Sequence, residues 1–271
     1  MSYTKTGLVA GLVVLVGVFA YTADAAHRWS GYHWGRTANP FTLELGDNVS
    51  AAWDGYLATA ASDWSVSNVL DTVVRAGKTK PRVCKATNGR VEVCNERYGA
   101  TGWLGIAQIW VGGTHITKGT VKVNDTYFAS APYNTAAWKT SVMCQEIGHT
   151  LGLDHQDEDF GNVNLGSCMD YTNDPDGTVS GQADNRHPNG HDYEELAAIY
   201  AHLDAVNTVL GTGTSTPSGT NKPQGVGRDT DLDHPSAWGE AVRQDAQGKN
   251  ALYVRDLGND EKVFTFVIWA E

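Results

Sequence analysis

Apolar and polar residues alternate at Phe41-Thr42-Leu43-Glu44-Leu45, the two-residue period of a half-buried strand. Gly46-Asp47-Asn48 predicts a turn after it. The period then lengthens. Across 49–65, Trp53, Tyr56, Leu57 and Ala60 fall on one stripe, which predicts a helix closing near Ser65. A second strand is predicted at 69–74, and a hairpin over 83–93 turning at Asn88-Gly89. Residues 105–111 read as a strand bounded by Gly112-Gly113, and His115–Asn124 as an edge or near-edge strand. A helix capped by Asn134 or Thr135 passes through Trp138, Val142 and Met143, and another over 192–210 aligns Tyr193, Leu196, Ile199, Tyr200 and Leu203. Strands and helices mixed in this order predict an α+β domain.

The two ends have a different texture. Lys5, an apolar run over 7–20 and the small-x-small triplet Ala23-Asp24-Ala25 predict an export signal over 1–25. The run is short for a membrane span, which needs about 20 apolar residues, so no stable span is expected after cleavage. A domain over 26–210 follows. Gly, Ser, Thr and Pro dominate 211–226, which reads as a linker. Candidate strands at 240–243, 251–254 and 263–269 then predict a small β-rich module over 227–271, short enough to dock on the main domain.

Composition narrows the function classes. The chain is 41% hydrophobic and 19% charged, with a net charge of −11. Loss of 1–25 removes Lys5 and Asp24 together and leaves that balance unchanged. A surplus of acid argues against nucleic acid as a partner, because phosphate contacts need basic surface. Four Cys in an exported chain favour disulfides. Of three pairings, Cys84–Cys94 with Cys144–Cys168 is the most local, and the absence of a C-x-x-C spacing speaks against a Cys zinc site.

The candidate chemistry lies at 144–155. On a helix, Gln145 and His149 stand four residues apart on one face, with Glu146 beside them. Gly152 ends the helix, and His155 swings back toward the same point. Three donors converging beside a carboxylate is the layout of a catalytic zinc site.

Residues 145–155 resemble the metzincin signature H-E-x-x-H-x-x-G-x-x-H at every fixed position except the first, where Gln145 stands. Ser167-Cys168-Met169-Asp170-Tyr171 resembles the Met-turn of the astacin and serralysin families, and the element order is similar to that of metzincin-clan catalytic domains. The resemblance covers roughly 41–210 and implies an α+β metzincin-like zincin domain, a mixed twisted sheet with an active-site helix and a C-terminal helix. It implies one catalytic zinc held by Gln145, His149 and His155, with Glu146 as general base and Met169 as the floor of the site. Tyr171 matches a position able to donate to the developing oxyanion. His115, His187 or His191 are alternative ligands if Gln145 holds no metal. Residues 105–111 and 115–124 resemble the edge that takes an extended peptide by strand addition.

Asp154, Asp157, Glu158 and Asp159 read as a solvated acidic loop. Asp174-Pro175-Asp176-Gly177 has calcium-loop character without the full EF-hand spacing, so calcium is a secondary cofactor reading. Residues 26–40 hold no Cys to cap a metal. The expectation is a secreted or periplasmic monomeric zinc endopeptidase that hydrolyses peptide bonds with a zinc-activated water and acts on peptides or proteins. The alternative is a catalytically inactive metzincin-fold protein that binds peptides or proteins.

Overall fold

The computed structural model describes residues 27–178, 181–210, 232 and 234–270. The expected export signal at 1–25 and linker at 211–226 lie outside the described residues. Among the described residues nine strands form one sheet: β1 (His33–Trp34), β2 (Phe41–Asn48), β3 (Leu70–Ala76), β4 (Val91–Glu96), β5 (Trp103–Gly112), β6 (His115–Asn124), β7 (Glu240–Gln244), β8 (Asn250–Gly258) and β9 (Glu261–Trp269). Four helices accompany them: α1 (Asp54–Trp64), α2 (Asp125–Phe128), α3 (Ala136–Thr150) and α4 (Gly190–Ile199). The class is α+β. Among the described residues no helix is long and apolar enough to cross a membrane.

The sheet runs β3-β2-β4-β6-β5-β9-β8-β7, with β1 paired to β6. From β3 to β6 the pairings are parallel. From β6 onward they are antiparallel. The expected C-terminal β-rich segment thus contributes three strands to the same sheet, entering through β9 against β5. Helix α3 packs on β5 and β6 and against α1. Its core joins Trp34, Trp53, Trp64, Leu43, Leu45, Val121 and Ile147. A smaller cluster of Tyr98, Trp103, Ile106, Trp238, Tyr253 and Val267 covers the other face. Burial on both faces explains why β5 reads as a near-continuous apolar run.

Three sequence expectations change. Residues 83–90 form no strand, so there is no hairpin: β4 pairs in parallel with β2 and β6. Cys84 sits at φ 45°, a left-handed conformation that extended backbone does not allow, and its disulfide to Cys94 holds it there. Strand β6 is interior, flanked by β4 and β5. The last helix stops at Ile199 rather than running to 210, because the following backbone bonds elsewhere: Asp204 N to Arg36 O, Thr208 N to Gly35 O and Leu210 N to Gly89 O.

Candidate metal centre

Thr135 opens α3, its hydroxyl accepting from Trp138 N at 3.2 Å. Gln145, Glu146 and His149 lie in the helix's C-terminal part, all nearly inaccessible to solvent. Gly152 ends the run at φ +101°, and a Cβ there would also come within 2.6 Å of Tyr32 O, so glycine is required twice over. Orphan carbonyls at the helix end are taken up: Trp34 Nε1 donates to Thr150 O and Tyr200 Oη to Leu151 O, both at 2.8 Å. The reversed chain brings His155 back against His149.

The two Nε2 atoms face each other across 2.9 Å. His149 Nδ1 lies 3.0 Å from Leu153 O, which only accepts, so the ring proton sits on Nδ1. His155 Nδ1 lies 2.8 Å from a Glu158 carboxylate oxygen, which fixes the same tautomer. Both rings in their neutral form therefore aim lone pairs at one another. Burial, then repulsion from His155, lowers the His149 pKa well below its usual value, so a proton is a poor occupant of that gap. One turn earlier on the same helix, Gln145 Oε1 and both carboxylate oxygens of its neighbour Glu146 are buried without a hydrogen-bond partner. An unpaired buried acceptor costs about 1–3 kcal/mol. Burial also pushes the Glu146 carboxyl well above the ordinary range. Zinc ligands about 2.0–2.1 Å from a tetrahedral ion stand roughly 3.3 Å apart, close to the spacing of the two imidazoles. This set of unpartnered N and O acceptors fits a divalent transition metal.

Met169 lies beneath the helix at Gly148, where any side chain would collide with its sulfur and with Trp64. The Cys144–Cys168 disulfide ties α3 to this turn. Backbone bonds from Gln156 N to Met169 O (2.7 Å) and from Tyr171 N to Asp157 O (3.2 Å) join the turn to the loop carrying His155. Tyr171 packs on His155, ring centroids 4.4 Å apart, but its hydroxyl donates to Val267 O at 3.1 Å. Burial holds that phenol protonated, well above its normal pKa.

Strand β9 covers the centre. Its even-numbered side chains, Phe264, Phe266 and Ile268, enter the main core while Val267 faces the opposite cluster. Glu146 presses its carboxylate on the backbone of β5, where a Cβ at Gly105 would meet it at 2.6 Å. From β7, Arg243 pairs with Asp154 and approaches Glu158 at 2.9 Å. Asp154 and Glu158 are therefore not a solvated acidic loop. They hold Arg243, and Glu158 also orients His155. The sequence signal for this was slight: a carboxylate three residues after a His. Asp174, in the calcium-like stretch, accepts from Thr178 N and Oγ1 across its own turn.

The three reserve ligands lie elsewhere. His115 Nε2 is 3.1 Å from Asp204, His187 Nδ1 is 2.7 Å from Asp63, and His191 packs on His27. With the geometry in hand, comparison with known proteins finds no matching family model and no matching curated protein. Among solved structures, the chain is similar to high choriolytic enzyme 1, a hatching-enzyme zinc protease from the medaka fish Oryzias latipes. The identity is 12% and the TM-score 0.37, over 64% of this chain and 96% of that one.

Proposed function

We propose that the chain is an exported, metzincin-like zinc endopeptidase in a closed form. The observation that carries this reading is the pair of facing imidazole lone pairs next to the unpartnered oxygens of Gln145 and Glu146. Gln145 Oε1, His149 Nε2 and His155 Nε2 would hold the ion. When bound, zinc supplies Lewis acidity for the scissile carbonyl and for water. Glu146 takes a proton from the attacking water on one carboxylate oxygen and returns it to the leaving amine. Leu153 O and Glu158 keep both imidazoles in the donor tautomer. Tyr171 becomes available to an oxyanion once its hydroxyl leaves Val267 O. The β5 edge accepts an extended peptide when β9 is displaced. Paired disulfides suit an oxidising compartment.

The test is zinc content together with chelator-sensitive hydrolysis of an unfolded protein. About one zinc bound by the 145–155 residues, with hydrolysis lost in Glu146→Ala, is the expected result. Absence of tightly held zinc at these residues would sink the reading. A second reading, an inactive peptide- or protein-binding relative, is favoured by one feature: β9 fills the edge a substrate needs. Zinc binding without hydrolysis, even after β9 is loosened, would select it.

A further inference from the structure

A second group of imidazoles converges away from α3. Strands β1 and β6 run parallel with His33 opposite His115. The segment after α4 adds His202 and Asp204. Asp204 Oδ1 lies 3.3 Å from His33 Nε2, 3.1 Å from His115 Nε2 and 3.5 Å from His202 Nε2. The His33 and His202 Nε2 atoms are 3.2 Å apart. Donors about 2.0–2.1 Å from a tetrahedral zinc stand roughly 3.3–3.4 Å from one another; His33, His115 and Asp204 form the compact trio, their ligand atoms all within 4.8 Å of one another, and His202 joins it from the His33 side.

The groups behind the donors are arranged as metal sites require. His33 Nδ1 donates to Gly31 O at 2.7 Å, which leaves a lone pair on Nε2 in the neutral ring. That lone pair faces a carboxylate oxygen, an arrangement that repels unless a proton or a metal cation lies between them. Asp204 Oδ2 accepts from Arg36 Nη1 at 2.6 Å and from Arg36 N at 3.2 Å, which aims Oδ1 at the imidazoles. His33 is buried and Asp204 partly so, while His202 reaches in from the surface. Imidazoles are borderline donors and only one hard carboxylate joins them, so the set suits zinc-class ions rather than calcium or magnesium, which take oxygen ligands.

We infer that His33, His115, His202 and Asp204 form a second site for a divalent transition metal of the zinc class. All four donors are supplied by the protein, so the site is structural. It joins the N-terminal strand β1 and the start of β6 to the segment that follows α4, which is otherwise held by few backbone bonds. The inference stands apart from the α3 centre and from any peptidase activity.

The experiment uses the full chain carrying His149→Ala and His155→Ala, stripped with chelator and titrated with zinc ion. About one zinc per chain is expected to remain bound. Cobalt in its place should give the visible absorption of a four-coordinate ion, and zinc should raise the melting temperature. His202 has a side chain 56% exposed, so His202→Ala should fold normally yet bind zinc at least roughly tenfold more weakly. A folded double variant that retains no zinc overturns the inference. So does an affinity unchanged by His202→Ala and His115→Ala together. If the double variant does not fold, the metal count of the otherwise native chain decides. Loss of about one zinc per chain on His115→Ala with His202→Ala supports the site, whatever the α3 centre holds, and an unchanged count overturns it.

Discussion

Phe266 lies face to face with His149, ring centroids 4.2 Å apart and planes 11° from parallel. A strand far along the chain thus packs over the candidate metal centre. Truncation to Phe266→Ala should cost about 3–5 kcal/mol of stability, the usual range for emptying a buried aromatic site. Under the peptidase reading it should also raise zinc-dependent hydrolysis of an unfolded protein, because the lid on β5 is weakened. A folded variant no faster than the parent would argue that β9 does not gate the site.

Arg243 anchors the outer end of the same cover. Breaking a fully buried ion pair costs about 3–5 kcal/mol, but this guanidinium side chain is 30% exposed, so Arg243→Met should cost less, about 2–3 kcal/mol. Chemical denaturation of the two proteins measures the difference. A loss below about 0.5 kcal/mol would place Arg243 with ordinary surface pairs.

Gln145 offers a test with opposed signs. Gln145→Leu removes a buried acceptor that has no partner, so the metal-free chain should gain about 1–3 kcal/mol, while zinc affinity should fall. Gln145→His should tighten zinc instead. Affinity indifferent to both changes would remove Gln145 from the ligand set.

Asp170 supplies the pH dependence. It is 1% exposed, and burial pushes its carboxyl from 3.8 up to about 6, against the bonds from Leu165 N and Asn185 that pull it down. The folded state holds this proton more tightly than the unfolded chain does. The contribution to stability is therefore complete below about pH 4 and is lost as pH rises through about 6, with a slope of at most about 1.4 kcal/mol per pH unit. Urea titrations of the parent and Asp170→Asn should diverge across that window, the parent losing ground as pH rises. Parallel curves would contradict the raised carboxyl.

Much of the local geometry of the candidate centre was legible because it lies close in sequence. Thr135, Gly152 and the spacing of 145, 149 and 155 fall within a single helix and its exit. The disulfides were legible because the short loops favoured them. The cover was not. Periodicity identifies β9 as a strand but carries no information about which strand it joins, and the Tyr171–Val267 bond spans 96 positions. The edge assigned to β6 failed for the same reason. The cluster of His33, His115, His202 and Asp204 has no motif spacing at all and comes together through the β1–β6 register and the return of the segment after α4 onto Arg36. Helical periodicity past Ile199 was overridden by tertiary bonds to Gly35, Arg36 and Gly89.

The β5–β9 ladder also sets an order in time. Every residue at the α3 centre emerges from the ribosome before β9, and any folding that begins during synthesis would assemble the helix, its disulfide partner and the His155 loop with the β5 edge bare. The centre therefore passes through an uncovered stage each time a chain is made. Long-range pairing is the slow part of folding, so that stage lasts until the C-terminal strands find their place.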